Sequence, residues 1–196
     1  MNVNFFNQEV EISKINNRIE YFTDLCKNKK VLHFGCTDFP IFRPESNLHI
    51  QLSTVAKTLH GFDIDIAGIE ELKKYVDQPY FSDYDQLGDD IYDVCLIPET
   101  IEHVDNISLF LKSVNQVKAK KIIITGPNAF APEHMQRNEN GKRKFMEIVH
   151  PDHNCWFSPY TLQNTIKKFT TLRVDKNILL ERETMICAEC TNLTYA

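Results

Sequence analysis

His150-Pro-Asp-His153 sets two imidazoles around a carboxylate, with Trp156 and Tyr160 close behind. Histidine titrates near neutral pH, so this segment suits a general base that takes a proton from a hydroxyl. His153 and His150 are the candidates, with Asp152 orienting one of them, and His103 of the Glu102-His103 pair is a third. The segment also has a plainer reading, in which Asp152 caps a turn, Trp156 packs and His150 bonds backbone. As a metal site, His150, Asp152 and His153 lack a clear fourth ligand, and no metal is expected. Upstream, Asp63, Asp83 and Glu99 each follow a short apolar run, and Gly35-Cys36-Thr37 forms a glycine turn. Arg137, Lys142, Arg143 and Lys144 make a basic cluster. It is either a solvated face or a receptor for phosphate or carboxylate on a ligand.

These residues need a scaffold that gathers them. The runs Val31-Leu-His-Phe-Gly-Cys-Thr-Asp38, Gly61-Phe-Asp-Ile-Asp65, Tyr92-Asp-Val-Cys-Leu-Ile-Pro-Glu99 and Lys121-Ile-Ile-Ile-Thr-Gly-Pro-Asn128 read as strands ending in turn or polar residues. Helical patterns separate most of them, so the expected class is α/β, with a mostly parallel sheet and helices on both faces. Such sheets bind ligands at the carboxyl ends of their strands, where the strand order reverses. The polar residues sit at those ends, which points to a nucleotide-like ligand. A dinucleotide site would show G-x-G-x-x-G after the first strand. Here the turn holds one glycine, and the chain holds six in all. The close approach of a pyrophosphate is not provided for, so a ligand without phosphates fits better.

Ile12, Ile15, Ile19, Phe22 and Leu25 are spaced by three or four, predicting an amphipathic helix that leads into the sheet. Pro40 and Pro44 disfavour helix after the first strand. A helix is expected from Ser46, with Leu48, Leu52, Val55, Ala56 and Leu59 on one face, and Leu59 to Asp63 reads as the second strand, so Leu59 stands at the boundary of the two. Asp65 can cap a helix over 66–76, another is expected near 108–117, and Ser158 precedes Pro159 at the start of a third over 159–169. Segments 171–180 and 184–193 read as a closing antiparallel hairpin. The expectation is one domain over 1–196 with a seven-stranded Rossmann-like sheet. Residues 128–156 form a connection long enough to serve as a lid over a substrate.

A formal charge of −5 argues against a protein that coats nucleic acid. The polar N-terminus, and the lack of an apolar run near the roughly 20 residues that span a bilayer, lead to the expectation of a cytoplasmic protein with no membrane partner. Of six cysteines, Cys95 falls inside a strand and Cys36 in a turn, where thiols behave as small hydrophobes. Cys187-Ala-Glu-Cys190 has metal-ligand spacing, but on a strand residues three apart face opposite ways.

Taken in order, the runs resemble the motifs of class I S-adenosylmethionine-dependent methyltransferases, from about residue 28 onward. Residues 79–82 read as a short third strand, Ser82-Asp83-Tyr84 resembles the acidic turn that follows it, and Thr125-Gly-Pro-Asn128 with His150-Pro-Asp-His-Asn-Cys-Trp-Phe-Ser158 completes the set. The likeness is to small bacterial members of surface-glycan and natural-product pathways. It implies S-adenosylmethionine as cofactor, held by His33, Gly35, Cys36, Thr37, Asp63, Ile64, Asp83, Tyr84 and Glu99. Asp63 would accept the ribose hydroxyls, Asp65 serving as a cap. Asp83 would accept the adenine amino group, and Ile64 would pack on the adenine face or simply in the core. The family's acidic residue before the glycine turn is His33 here, either a cofactor contact or a core histidine. The later glycines are Thr37 and Phe39, which leaves the methionine amino group without its usual acid unless Glu99 serves. A small polar acceptor, methylated at oxygen, would meet Arg137, Arg143, Trp156 and Tyr160. Nucleotide-sugars and phosphorylated metabolites fit an anionic acceptor. The rival readings are an inactive partner subunit of the same fold, and a nicotinamide oxidoreductase, which the single-glycine turn opposes.

Overall fold

A computed structural model describes residues 7–38, 41–131, 135–137 and 145–196. The strands of the main sheet are β1 (Ile12–Ile15), β2 (Lys30–Phe34), β3 (Thr58–Phe62), β4 (Tyr80–Phe81), β5 (Tyr92–Ile97), β6 (Ala119–Pro127), β9 (Arg173–Leu180) and β10 (Met185–Thr191). A separate two-stranded pair, β7 (Met135–Arg137) and β8 (Phe145–Glu147), lies inside the long connection. The helices are α1 (Arg18–Cys26), α2 (Leu48–Ser53), α3 (Ile66–Leu72), α4 (Ile107–Val114) and α5 (Pro159–Phe169).

The main sheet runs β1-β9-β10-β6-β5-β2-β3-β4. Only β10 opposes its neighbours, pairing antiparallel with β6 and β9. Strand side chains alternate between two cores, as a pleat requires. Leu32, Cys95, Ile97, Ile122 and Ile124 pack with α4 and α5, while Val31, Val94, Leu96 and Ile123 pack with α1 and α2. Cys187 and Cys190 fall in different cores, so their thiols cannot clasp one ion.

Each helix begins on a side-chain cap. Asp65 accepts from the Ala67 amide at 3.1 Å and Ser158 from Thr161 at 3.1 Å, as the sequence suggested. Asn17, Asn47 and Asn106 cap α1, α2 and α4 in the same way.

Two expectations change. The sheet has an eighth strand, because Ile12 and Ile15 belong to β1 and not to the first helix. They pair parallel with Asn177 and Leu180 of β9, so that β1 becomes the short edge strand of the sheet. Three-residue spacing mimics a helix there, and tertiary pairing overrides it. The helix from Ser46 is also shorter than its apolar pattern: α2 ends at Ser53, so Val55 and Ala56 lie beyond it, while Leu59 falls in β3 as the strand reading had it.

Candidate active site

β2 lies between β3 and β5, so the strand order reverses at its carboxyl end. Gly35 follows it at φ +69°, a left-handed conformation that favours glycine. A Cβ there would also stand 2.3 Å from Thr100 Oγ1, so the close approach to the turn after β5 requires glycine as well. The Gly35 amide donates to Phe62 O at 2.8 Å, tying the turn to β3. Asp63, the next residue, completes the tie. Its Oδ2 accepts from the Thr37 amide and hydroxyl, both at 3.0 Å, and its Oδ1 accepts from the Asp65 amide at 3.0 Å. A carboxylate has about four acceptor positions. One remains on Oδ1.

The expected cofactor residues sort by position. His33, Gly35, Cys36, Thr37 and Glu99 line a narrow cleft of about 90 Å³ at this edge, with Asp38 and Arg18. Ile64, beside Asp63, is 82% exposed, an apolar side chain that a flat ligand could cover. Asp83 is exposed and caps the one-turn helix at Tyr84–Leu87, accepting from the Asp85 amide at 2.9 Å. Tyr84 turns into the core, its ring 4.9 Å from that of Phe62 and 5.6 Å from that of Phe34. It also lines a depression with Tyr92 and Lys118, at the amino ends of β5 and β6.

His33 is buried, and its Nδ1 stands 3.1 Å from His49 Nδ1. It bonds a second imidazole, not backbone. Burial, reinforced by His49, holds its pKa well below the usual histidine value, and burial lowers His49 to about 3. The pair is neutral, one nitrogen donating and the other accepting.

Asp38 and Arg18 escaped the sequence reading. Asp38 is half-buried and takes a 2.7 Å bond from the Asn47 side-chain amide. Burial raises its pKa, against opposing pulls from Asn47 and Arg18. Arg18, the first residue of α1, forms an ion pair with Glu99. Glu99 sits at φ +43°, unusual for a residue with a side chain, and its amide donates to Thr125 Oγ1 at 3.0 Å. Strained residues at strand ends often mark function. Asp38 was legible as an acid just past the glycine turn. Nothing in the sequence tied Arg18 to Glu99, 81 residues away.

Arg18 and Glu99 also line a second, larger cavity of about 460 Å³, with Ile148, Val149, His150, His153, Trp156 and Glu181 among its walls. The long connection is stapled at both ends. Asn128 Nδ2 donates to Glu183 O at 2.7 Å, and the Asn154 amide donates to Glu102 O at 2.8 Å. The second staple draws 150–153 onto the turn after β5, where the rings of His103 and His153 lie 4.7 Å apart. Asp152 bonds His103 Nδ1 at 2.9 Å. It therefore orients His103 and neither of the expected partners, because its side chain points to the β5 turn. Its own amide donates to His150 Nδ1 at 3.3 Å. His153 Nδ1 is buried without a hydrogen-bond partner among the described residues, and the ring's pKa is lowered first by burial and then by His103 and His150. Glu102 is fully buried with both oxygens unpartnered among the described residues, and burial pushes its carboxyl up to about 8.

Trp156 lines the larger cavity, whereas Tyr160, in the first turn of α5, does not. Arg137 falls in β7, and Arg143, with Lys142 and Lys144, lies outside the described residues.

The architecture is the fold of the class I S-adenosylmethionine-dependent methyltransferases. An S-adenosylmethionine-dependent methyltransferase from Aquifex aeolicus superposes with a TM-score of 0.62 at 12% identity, over 90% of this chain and 88% of that one. One from Mesorhizobium loti gives 0.59 at 9% identity, over 89% and 95%. Magnesium protoporphyrin IX methyltransferase from Synechocystis, solved with bound S-adenosylhomocysteine, gives 0.59 at 12%, over 89% and 81%. At these identities the likeness is one of fold. No protein-family model matches the chain, and no curated protein matches it.

Proposed function

We propose that this chain is an S-adenosylmethionine-dependent methyltransferase acting at an oxygen of a small polar acceptor. One observation carries the reading: the Asp63 carboxylate clamps the Gly35–Thr37 turn where the strand order reverses, with an acceptor position left over. That position would take a ribose hydroxyl. Ile64 would cover one adenine face, and Asp83 would accept the adenine amino group. The amino-acid end of the cofactor is a zwitterion. The 90 Å³ cleft offers it matching charges, Arg18 for its carboxylate and Asp38 with Glu99 for its ammonium. These acids stand in for the one that His33 replaces.

The acceptor would occupy the 460 Å³ cavity. Trp156, Ile148 and Val149 give it an apolar wall suited to the face of a sugar ring. The acceptor oxygen attacks the methyl carbon, the carbon–sulfur bond breaks with its electron pair left on sulfur, and the hydroxyl proton passes to the histidine cluster. The sulfonium is already activated, so the protein's main contribution is in-line positioning. Arg137 and Arg143, which the sequence puts in the same connection, would suit an acceptor with a phosphate or carboxylate, such as a nucleotide-sugar or phosphorylated metabolite of glycan or secondary metabolism.

Calorimetric titration with S-adenosylmethionine, S-adenosylhomocysteine and NADH tests the reading. Micromolar binding of the first two and none of NADH is expected. Binding of neither sulfur compound would overturn it and favour a partner subunit that has lost its ligand.

A further inference from the structure

We propose that His103, His150 and His153 form a binding site for a divalent transition metal of the zinc type, open toward the larger cavity. One ring nitrogen from each lies within 4.8 Å of the others. An ion held at about 2.0–2.1 Å from each nitrogen needs nitrogens about 3.3 Å apart. The rings would close to that spacing on binding the ion.

Three further observations point to an ion and not to a chance cluster. His153 Nδ1 is buried and has no hydrogen-bond partner among the described residues, leaving a ring nitrogen unsatisfied inside the group. His103 Nδ1 is taken by the Asp152 carboxylate at 2.9 Å, which leaves Nε2 to ligate. A carboxylate behind a ligating imidazole is the usual way to fix the tautomer of a metal-bound histidine. His150 Nδ1 accepts only a long 3.3 Å bond from the Asp152 amide, weak enough for an ion to displace.

The scaffold holds the three rings close without metal. His153 N donates to His150 O at 3.0 Å, closing the turn that carries both, and His103 N donates to Thr100 O at 3.1 Å.

Donor chemistry selects the ion. Three imidazoles suit zinc, cobalt or nickel, whereas magnesium and calcium seek oxygen donors. Three protein ligands leave a tetrahedral position unfilled, which is the pattern of reactive and not of purely structural zinc. His150 and His153 line the cavity, so that position faces the acceptor. A hydroxyl bound there would lose its proton more readily. With the ion in place, the cluster would act on that hydroxyl through the metal instead of as free bases.

The site deepens the methyl-transfer reading but is tested without cofactor or acceptor. Tag-free full-length protein, stripped with EDTA, is titrated with cobalt(II) followed by visible absorbance, and with zinc(II) by calorimetry. One equivalent per chain with micromolar or tighter affinity at pH 7.5 is expected, weakened at least tenfold at pH 6. Magnesium should not compete. His103→Ala and His150→Ala should each weaken binding at least 30-fold. His150 is exposed, so that variant should keep its thermal midpoint. Absence of saturable binding, or unchanged affinity in both variants, would overturn the site. Either result leaves the titration with S-adenosylhomocysteine to judge the methyltransferase reading separately.

Discussion

Asp63 carries two duties at once, and its substitution should reveal both. In Asp63→Ala the Thr37 amide and hydroxyl lose their acceptor, and the ribose loses its carboxylate. A charged hydrogen bond of this kind is worth roughly 1.5–3 kcal/mol, so S-adenosylhomocysteine should bind roughly 10- to 100-fold more weakly. Calorimetry giving wild-type affinity would remove Asp63 from the ribose. The buried His33–His49 pair makes a separate prediction about pH. His49 titrates at about 3 in the fold against 6.5 for a free histidine. Between those values the unfolded chain binds a proton that the fold refuses. The contribution of a neutral pair is therefore intact above pH 6.5 and is lost as pH falls, by about 2 kcal/mol for His49 on reaching pH 5, with His33 adding in the same direction. Urea midpoints should drop between pH 7 and pH 5 in the wild type and drop less in a His33→Leu/His49→Leu double variant. At this scale the sequence exposed types but not pairings. The single glycine, the strand-end acids and the HPDH segment were visible, whereas the partner of His33 and the object of Asp152 depend on residues brought in from other elements.

Elements were most legible where local chemistry and tertiary demand agree. α5 begins on Ser158 and Pro159 as expected, and β2, β3 and β5 lie within a residue or two of their apolar runs. They disagree at β1, where isoleucines three apart look helical but β9 has a free edge to pair. The turn after β2 is the element on which the cofactor cleft depends. Gly35→Ala would place a Cβ 2.3 Å from Thr100 Oγ1 on a backbone already at φ +69°. The left-handed conformation alone costs about 1–2 kcal/mol. The variant should melt lower and bind S-adenosylhomocysteine more weakly. Equal melting and binding would show that the turn relaxes without cost. Ser158→Ala should cost about 1 kcal/mol by loss of the α5 cap, with no change in cofactor affinity. Chemical denaturation and calorimetry read the two effects apart.

Across the whole molecule, Arg18 joins the two cavities, since it reaches Glu99 and lines both the cofactor cleft and the larger space. If it holds the cofactor's carboxylate, Arg18→Met should weaken S-adenosylhomocysteine by tenfold or more. It should leave 5′-methylthioadenosine, the same nucleoside without the amino-acid end, unchanged. Equal losses for both ligands would assign Arg18 a structural role instead. The sequence by itself determined the alternation of strands and helices, the polar residues at the strand ends and the lack of a pyrophosphate turn, because periodicity and turn chemistry act within a few residues. It could not determine that residues 12–15 add a strand, that α1 delivers an arginine to the far end of the sheet, or that Asn154 draws two histidines onto a third. Those outcomes rest on contacts between segments up to 165 positions apart, such as Ile12 with Asn177. Only the packed fold decides which distant groups share one buried volume.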